Sequence, residues 1–379
     1  MSTSLTKNKV IFYYPQHFNR DANNENPYLK PFLKHFESHN VAYKLVEEPD
    51  AKTIKPSNPK AVKFNLFIVL VLRKILPLFL FKDFEIREQF IGKLYRWFTA
   101  NKYNAEVVFT LSNSLGGFWR GYNPKARIID YQHGLINKKQ TGFFNNGEAP
   151  LHISANNKEV AVWGRNFKKM FEQDTYYNNK VHVLGHFQDT QRTPVTINGR
   201  NSILFMLQFI SGLGNDKNMA MLDLLKDVIL QFKSLPSEDR PKIILKNHPR
   251  HNHILDLSEI FKEYEFVHIL PDDSVINASE ILIHITYFST GAFEMAQEGV
   301  PTYFLYNKKI PQGYHIFFED YNYPVQQKMS LLEFYIKYKN DSSAWKHNSD
   351  VVVEWASSFF EPFNTEKLNQ LLNSKYDER

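Results

Sequence analysis

The sequence predicts an α/β protein made of two successive parallel-sheet halves and a helical tail. Three observations carry this. Short β-branched, apolar runs alternate with helical segments, the rhythm of strand–helix–strand units. Strand ends repeatedly run into turns of Gly, Ser and His. The rhythm breaks at a polar, Pro- and Gly-containing stretch near residue 190 and then restarts. At 379 residues the chain is long for one core, which favours two domains. A composition of 43% hydrophobic and 23% charged residues is that of a folded globular chain.

Composition also excludes some chemistry. There is no cysteine, so disulfide frameworks, thiolate metal sites and cysteine nucleophiles are ruled out. The opening MSTSLTKNKVIFYYP lacks an apolar signal core, so a cytoplasmic location is expected, with the inner membrane face as a peripheral site. A net charge of +6 suits anionic ligands or an anionic membrane surface and is too weak to argue for nucleic acid.

In the first half, residues 9–14 (KVIFYY) read as a strand, 28–38 as a helix and 41–46 as a second strand. The loop between the first strand and its helix presents His17 and Asp21 at a strand's carboxyl end, where open α/β sheets bind ligands. Residues 64–81 (FNLFIVLVLRKILPLFLF) form the most apolar window. A membrane span needs about 20 apolar residues without central charge. Arg73, Lys74 and Pro77 interrupt this one, so a simple span is rejected. Burial as a kinked helix is the preferred reading, and an interfacial membrane patch the alternative. Residues 84–99 continue as an amphipathic helix with Ile86, Phe90, Leu94 and Trp97 at helical spacing.

A strand at 105–110 leads into LSNSLGGFWRGY, read as a polar, flexible turn through Ser112, Asn113, Ser114 and the glycine pair Gly116-Gly117. The strand at 127–130 runs into Tyr131-Gln132-His133-Gly134. A histidine just past a strand end sits on a rim rather than in a core, and histidine is the side chain most readily poised as a base near neutral pH. Strands at 159–163 and 180–184 complete this half.

The second half opens with a strand at 202–209, a loop at 210–218 and a helix at 219–235. The strand at 242–245 leads into Lys246-Asn247-His248-Pro249-Arg250. Proline keeps His248 extended, so Lys246, His248 and Arg250 are presented from a strand end, as suits a phosphate. No acidic or sulfur partner sits at zinc-motif spacing around these histidines, and no metal is expected. After a strand at 266–270, residues 271–274 are expected to cap a short helix. Residues 281–306 then read as strand, turn, helix, glycine stop and strand. Its turn, Ser289-Thr290-Gly291, offers hydroxyls and backbone N–H groups where the helix begins. From Ser330 onward the chain reads as helical, at 331–338, 345–347, 351–360 and 365–372.

Taken together, His133-Gly134, His248-Pro249 and Ser289-Thr290 form a pattern similar to a known family. With Glu294, Gly299 and Pro301 they resemble bacterial surface-polysaccharide glycosyltransferases of the GT-B architecture. The motifs are similar to those of capsule-type sialyltransferases, Kdo-type transferases and CDP-polyol phosphotransferases, over about residues 105–306. The resemblance implies two Rossmann-like domains facing a cleft. Residues 1–187 would bind the acceptor, 188–200 would link, 201–350 would bind the nucleotide-sugar, and 351–379 would be helices packing back on the first domain. It implies an inverting, metal-independent transferase without a cofactor, acting between a nucleotide-sugar donor and a glycan or lipid-linked glycan acceptor. A CMP-activated nonulosonic or Kdo-like sugar is the preferred donor.

By this similarity His133 is the base, with Asp130, Glu148 and Asp21 as alternatives. Lys246, His248, Pro249, Arg250, Ser289, Thr290 and Gly291 meet the donor phosphate, and Glu294 the ribose. His17, Ser112, Asn113, Ser114 and Gly134 are acceptor-side candidates. A CDP-polyol phosphotransferase, a nucleotide-sugar 2-epimerase and a non-catalytic carbohydrate-binding protein are the competing functions.

Overall fold

The computed structural model describes residues 8–21, 23–49, 56–113, 115–188, 197, 199–248, 255–271, 274–309 and 314–374. The chain divides into two compact units, Met1–Asp189 with Phe359–Arg379, and Thr190–Ser358. Each holds one sheet in which every described strand pair is parallel. The predicted α/β class with parallel sheets and a helical C-terminal stretch is the class found.

In the first unit the elements are β1 (Asn8–Pro15), α1 (Lys30–Ser38), β2 (Tyr43–Glu48), β3 (Val62–Lys63), α2 (Leu66–Ile75), α3 (Phe84–Phe98) and β4 (Ala105–Leu111). They continue with α4 (Gly116–Tyr122), β5 (Arg127–Tyr131), α5 (Leu151–Ser154), β6 (Lys158–Val162), α6 (Arg165–Phe171) and β7 (Val181–Val183). The strand order is β3-β2-β1-β4-β5-β6-β7. β5 and β6 are buried along their whole length, as central strands covered on both faces must be, although each carries two charged residues. The chain grows outward from β1 to β3, then returns to place β4 on the other side of β1. That reversal is a topological switch point, where the carboxyl ends of two adjacent strands diverge and leave a crevice.

Two expectations for this unit are overturned. The stretch after β4 is not a flexible turn throughout, because Gly116–Tyr122 is helical and its glycines are buried. Those glycines serve close packing. A Cβ on Gly92 would overlap the Phe118 carbonyl, one on Gly121 the Gln89 backbone, and one on Gly117 the Glu85 carboxylate. Only glycine lets α3 and α4 approach this closely.

The second concerns the apolar window. α2 buries Val69 alone, and α3 turns Glu85, Glu88, Ile91, Gly92 and Tyr95 inward while Ile86, Phe90 and Trp97 face solvent. Burial as the fate of residues 64–81 is therefore corrected: Phe64 and Val69 are core, and most of the rest is not. The buried carboxylates of α3 are each partnered, as burial of charge demands. Glu88 pairs with Arg73 at 2.7 Å and Arg87 at 3.3 Å. Glu85 accepts from Asn156 Nδ2 at 2.6 Å.

The second unit contains β8 (Ser202–Met206), α7 (Asn215–Lys233), β9 (Lys242–Lys246), α8 (Leu257–Ile260), β10 (Val267–Leu270), β11 (Ile281–Thr286), α9 (Gly291–Gln297), β12 (Thr302–Phe304), α10 (Leu331–Asn340) and α11 (Ser342–Phe359). Its strand order, β10-β9-β8-β11-β12, reverses at β8. The switch point therefore lies between the carboxyl ends of β8 and β11. β8 ends at Met206, and α7 begins at Asn215 rather than 219, entered through Gly214 at φ 82°. The two short helices expected at 345–347 and 351–360 are one, α11. Its polar middle is accommodated because Asn348 Nδ2 donates to the Tyr338 hydroxyl at 2.6 Å. The helix cap expected at 271–274 includes Asp272 and Asp273, which lie outside the described residues.

The last helix, α12 (Thr365–Asn373), belongs to the first unit. There the Arg127 guanidinium donates to the Leu371 carbonyl and pairs with Glu159, which His182 also contacts at 2.6 Å. Burial alone would raise the Glu159 carboxyl, but these two partners hold it at about 2.

Gly121→Ala tests the α3–α4 contact. At an unconstrained helical site this change stabilises by about 1 kcal/mol. Here the added methyl meets backbone, and overpacking should reverse the sign to a loss of about 1–3 kcal/mol. A urea midpoint equal to or above that of the parent would remove the close-packing assignment.

Candidate functional site

The turn after β4 is the most constrained piece of backbone in the first unit. Ser112 (φ 62°), Asn113 (φ 57°) and Leu115 (φ 49°) are all left-handed without being glycine. Each such residue costs about 1–3 kcal/mol and persists only where its surroundings over-determine it. The surroundings here come from three elements. Asn113 N–H donates to Asp130 Oδ1 at 2.7 Å, and Asn113 Nδ2 to the Gly142 carbonyl at 2.9 Å. Lys158 Nζ donates to Asn113 Oδ1 at 2.6 Å. Ser112 N–H reaches His133 Nδ1 at 3.3 Å.

Asp130, near the end of β5, is fully buried. Its Oδ1 also accepts from Thr110 Oγ1 at 2.8 Å, while Oδ2 has no hydrogen-bond partner among the described residues. An ionised, partly unsatisfied carboxylate in a core is costly and needs compensating charge nearby. Lys158 supplies it. This lysine is also fully buried, and desolvation lowers its pKa against the opposing pull of Asp130 and Glu85. Room for its stem comes from Gly116, where a Cβ would press on Lys158 Cδ at 2.9 Å.

His133 is half-buried one turn beyond β5. Burial lowers its pKa, Asp130 opposes that, and His17 and Arg20 add to it. That direction favours the neutral ring over the imidazolium. Because Nδ1 accepts the Ser112 N–H, the ring proton resides on Nε2. In this tautomer Nε2 is a donor, and accepting a proton there uses the other one. Phe18 packs edge-on against the ring at 5.3 Å, and Arg20 lies over Phe18 at 5.5 Å. Gln132 Nε2 donates to the Gly134 carbonyl at 2.8 Å and Gln132 Oε1 accepts from Trp163 N–H at 2.9 Å, which fixes the loop. Nothing lies within 4 Å of a Cβ built on Gly134, so this side of the loop is open.

His17, Ser112, Asn113, Asp130, His133 and Gly134 thus follow the carboxyl ends of β1, β4 and β5, around the switch point. The other two substitutes for the base are placed differently. Asp21 accepts from Asn23 and Glu25 N–H at 2.7 and 3.1 Å and pairs with Lys30 at 2.6 Å. The Lys30 contact and those N–H groups lower its pKa and commit it to the loop. Glu148 is exposed at the end of a tight turn whose central residues, Asn146 and Gly147, are both left-handed. Ser114 lies outside the described residues.

In the second unit, Ser289 Oγ accepts from Gly291 N–H at 3.1 Å, and Ser289 N–H donates to Thr286 Oγ1 at 3.1 Å. Thr286 in turn donates to the Met206 carbonyl and Gln208 Oε1, both at 3.0 Å. This knits the ends of β8 and β11 across the switch point. Gly291 packs against Met206, whose thioether would have to move to admit a Cβ there. Thr290 is exposed and its side chain caps nothing. Glu294 is accessible yet partly desolvated, which raises its carboxyl. Lys246 does not stand free at its strand end: its ammonium donates to the Pro271 and Ser274 carbonyls at 2.9 and 3.2 Å. His248 is half-buried, and Pro249 and Arg250 lie outside the described residues.

Sequence reasoning missed Phe18, Gln132 and Lys158. A lysine opening an apolar strand (KEVAV) reads as an exposed strand end. Only the glycine at 116 and the carboxylate at 130 make it a core residue. A cavity of about 550 Å³ lined by Arg96, Arg127 and Leu372 lies at the opposite, amino ends of β4 and β5 and carries none of these groups.

Lys158→Met should cost about 3–5 kcal/mol, because it leaves Asp130 as an uncompensated buried charge. Adding Asp130→Asn should recover part of that loss. Strictly additive urea-unfolding effects in the double variant would show that the two charges are not coupled.

No family model and no curated protein sequence matches the chain. Solved structures do resemble it. The lipopolysaccharide outer core galactosyltransferase WaaB, in its apo form, aligns with TM-score 0.56 and 8% identity over 97% of this chain and all of its own. S. aureus MnaA, in a co-structure with UDP, gives 0.54 and 12% over 98% of this chain and 100% of its own. The UDP-GlcNAc 2-epimerase of Methanocaldococcus jannaschii gives 0.51 and 12% over 91% and 98%. At such identities the likeness speaks for the fold: two Rossmann-like parallel-sheet units of the GT-B class.

Proposed function

We propose that the chain is a nucleotide-sugar-dependent enzyme, and within that class an inverting glycosyltransferase. The observation that carries this reading is the Asp130–Asn113–His133 arrangement. A strained turn at a sheet's switch point holds an accessible imidazole beside a buried carboxylate with a spare oxygen. The second unit supports the donor role, with Ser289 and Gly291 at its own switch point. The likeness to a galactosyltransferase and to a protein solved with UDP supports a nucleotide-sugar as the substrate.

In the proposed reaction the bond between the anomeric carbon and the nucleotide phosphate breaks as the acceptor oxygen forms its bond to that carbon. The acceptor proton passes to His133 Nε2 in the tautomer whose proton sits on Nδ1, with the Ser112 N–H contact released. The Asp130 charge favours the imidazolium that results. A single in-line displacement inverts the anomeric centre. The proposed donor is a CMP-activated nonulosonic or Kdo-like sugar, the acceptor a hydroxyl of a surface glycan or lipid-linked glycan, and the leaving phosphate is stabilised by protein donors without a metal. His248, Ser289 and Thr290 are assigned to that phosphate and Glu294 to the ribose. Nucleotide-sugar 2-epimerisation is the second reading, favoured by the likeness to the M. jannaschii epimerase. It predicts epimer formation from UDP-GlcNAc with no acceptor present.

A thermal-shift panel of CMP, CDP, UMP, UDP and dTDP tests the donor class. Ligand at a hundredfold excess over Kd stabilises by about 2.7 kcal/mol. At least one nucleotide should shift the melting point, and Ser289→Ala should weaken that ligand about tenfold. No shift with any of the five would sink the reading. His133→Gln should keep nucleotide affinity but lower turnover about a hundredfold or more. A His133→Gln enzyme retaining over a tenth of the parent rate would assign the donor role seen in the resting geometry. Since burial lowers the His133 pKa from its ordinary 6.5, the acid limb of the rate profile should lie below that value. Asp130→Asn removes an opposing charge and should move the limb further down.

A further inference from the structure

α2, α3 and the segment between them carry most of the exposed large apolar side chains of the described residues. Phe67 is 72% exposed, Ile75 66%, Phe79 83%, Leu80 59%, Phe90 41% and Trp97 74%. On α2 the inward residues Leu66, Leu72 and Leu76 pack on the core cluster, so this helix is apolar on both sides. One side is used by the fold and the other is not. The surface is continuous between the helices. Phe81 packs on Phe90 at 5.6 Å, and the Arg73 guanidinium lies over Phe84 at 5.8 Å. Lys63, Lys74, Lys82 and Lys93 are exposed among these residues. The three carboxylates of the same stretch are withdrawn: Glu85 and Glu88 are buried, and half-buried Asp83 caps α3 through Ile86 N–H.

We propose that this face docks on the anionic surface of a lipid bilayer. Phe67, Phe79 and Trp97 would enter the boundary between headgroups and acyl chains, with the lysines among lipid phosphates. Charge selects this occupant over a second copy of the chain. Self-association about a twofold axis would set lysines against lysines with no exposed carboxylate to receive them. An anionic headgroup layer complements the same pattern. The face lies on the membrane rather than crossing it, since no helix among the described residues is long and apolar enough to span one. The inference stands independently of the transfer reaction.

Co-sedimentation of the full chain with vesicles of phosphatidylcholine, with and without phosphatidylglycerol, tests it. Binding should be at least about tenfold tighter with phosphatidylglycerol and should weaken as salt rises. Trp97 gives a site-specific signal, because Trp119, Trp163, Trp345 and Trp355 are all buried. Vesicles should shift the emission to the blue, and Trp97→Phe should lose that shift while still sedimenting. Phe79→Ser with Trp97→Ser should weaken binding about tenfold or more with an unchanged circular dichroism spectrum. Absence of binding to phosphatidylglycerol vesicles would overturn the proposal, as would equal binding by the double variant. A lipid-free dimer whose Trp97 emission is already blue-shifted would also overturn it, in favour of a second copy.

Discussion

The first unit depends on one small polar knot: the side chain and N–H of Asn113 held between Asp130 and Lys158. A carboxylate and an ammonium that are both fully buried, on neighbouring strands, are tolerable only when each has a defined partner. Asn113 is that partner for both, accepting from Lys158 and donating to Asp130. In doing so it locks three left-handed residues in sequence positions where the backbone would otherwise relax. The turn then offers the Ser112 N–H to His133, so the imidazole is oriented by the knot as well as by its own loop. A short apolar substitute at 113 would fill the space and lose the geometry.

Both units solve the same problem with different chemistry. In each, the sheet order reverses at the first strand of the unit, and the diverging strand ends must be tied. The first unit ties the β4 end to β5 and β6 with charge and a strained turn. The second uses neutral groups, Thr286 bridging the Met206 carbonyl and the Gln208 amide, with Ser289 stacked above. Neutral ties leave no buried charge at this switch point, in keeping with the proposed phosphate-binding role.

Most strands were legible in the sequence because central parallel strands are apolar on both faces and flanked by glycine and polar turns. The positions after strand ends were legible for the same reason, which is why His133, Asn113 and Ser289 could be singled out. What the sequence hid were contacts whose meaning depends on a partner far along the chain. Gly92, Gly117 and Gly121 look like flexibility and are close packing. Ile86, Phe90 and Trp97 have the spacing of a core stripe, yet the core side of α3 is the one with two glutamates, Glu88 paired with Arg73 and Glu85 bonded by Asn156. Periodicity reports that a face is apolar, not what covers it. Lys246 carries the pattern of a phosphate ligand, and its ammonium also donates to two backbone carbonyls that the sequence did not reveal.

The fastening of α12 to Arg127 has a consequence for how the protein is made. The first unit is assembled from residues at both ends of the chain, whereas Thr190–Ser358 is continuous. The guanidinium that β5 presents finds its carbonyl partner only when Leu371 has been synthesised and has left the ribosome. The unit that begins first on the ribosome is therefore the one completed last, with Arg127 held by Glu159 and His182 until then.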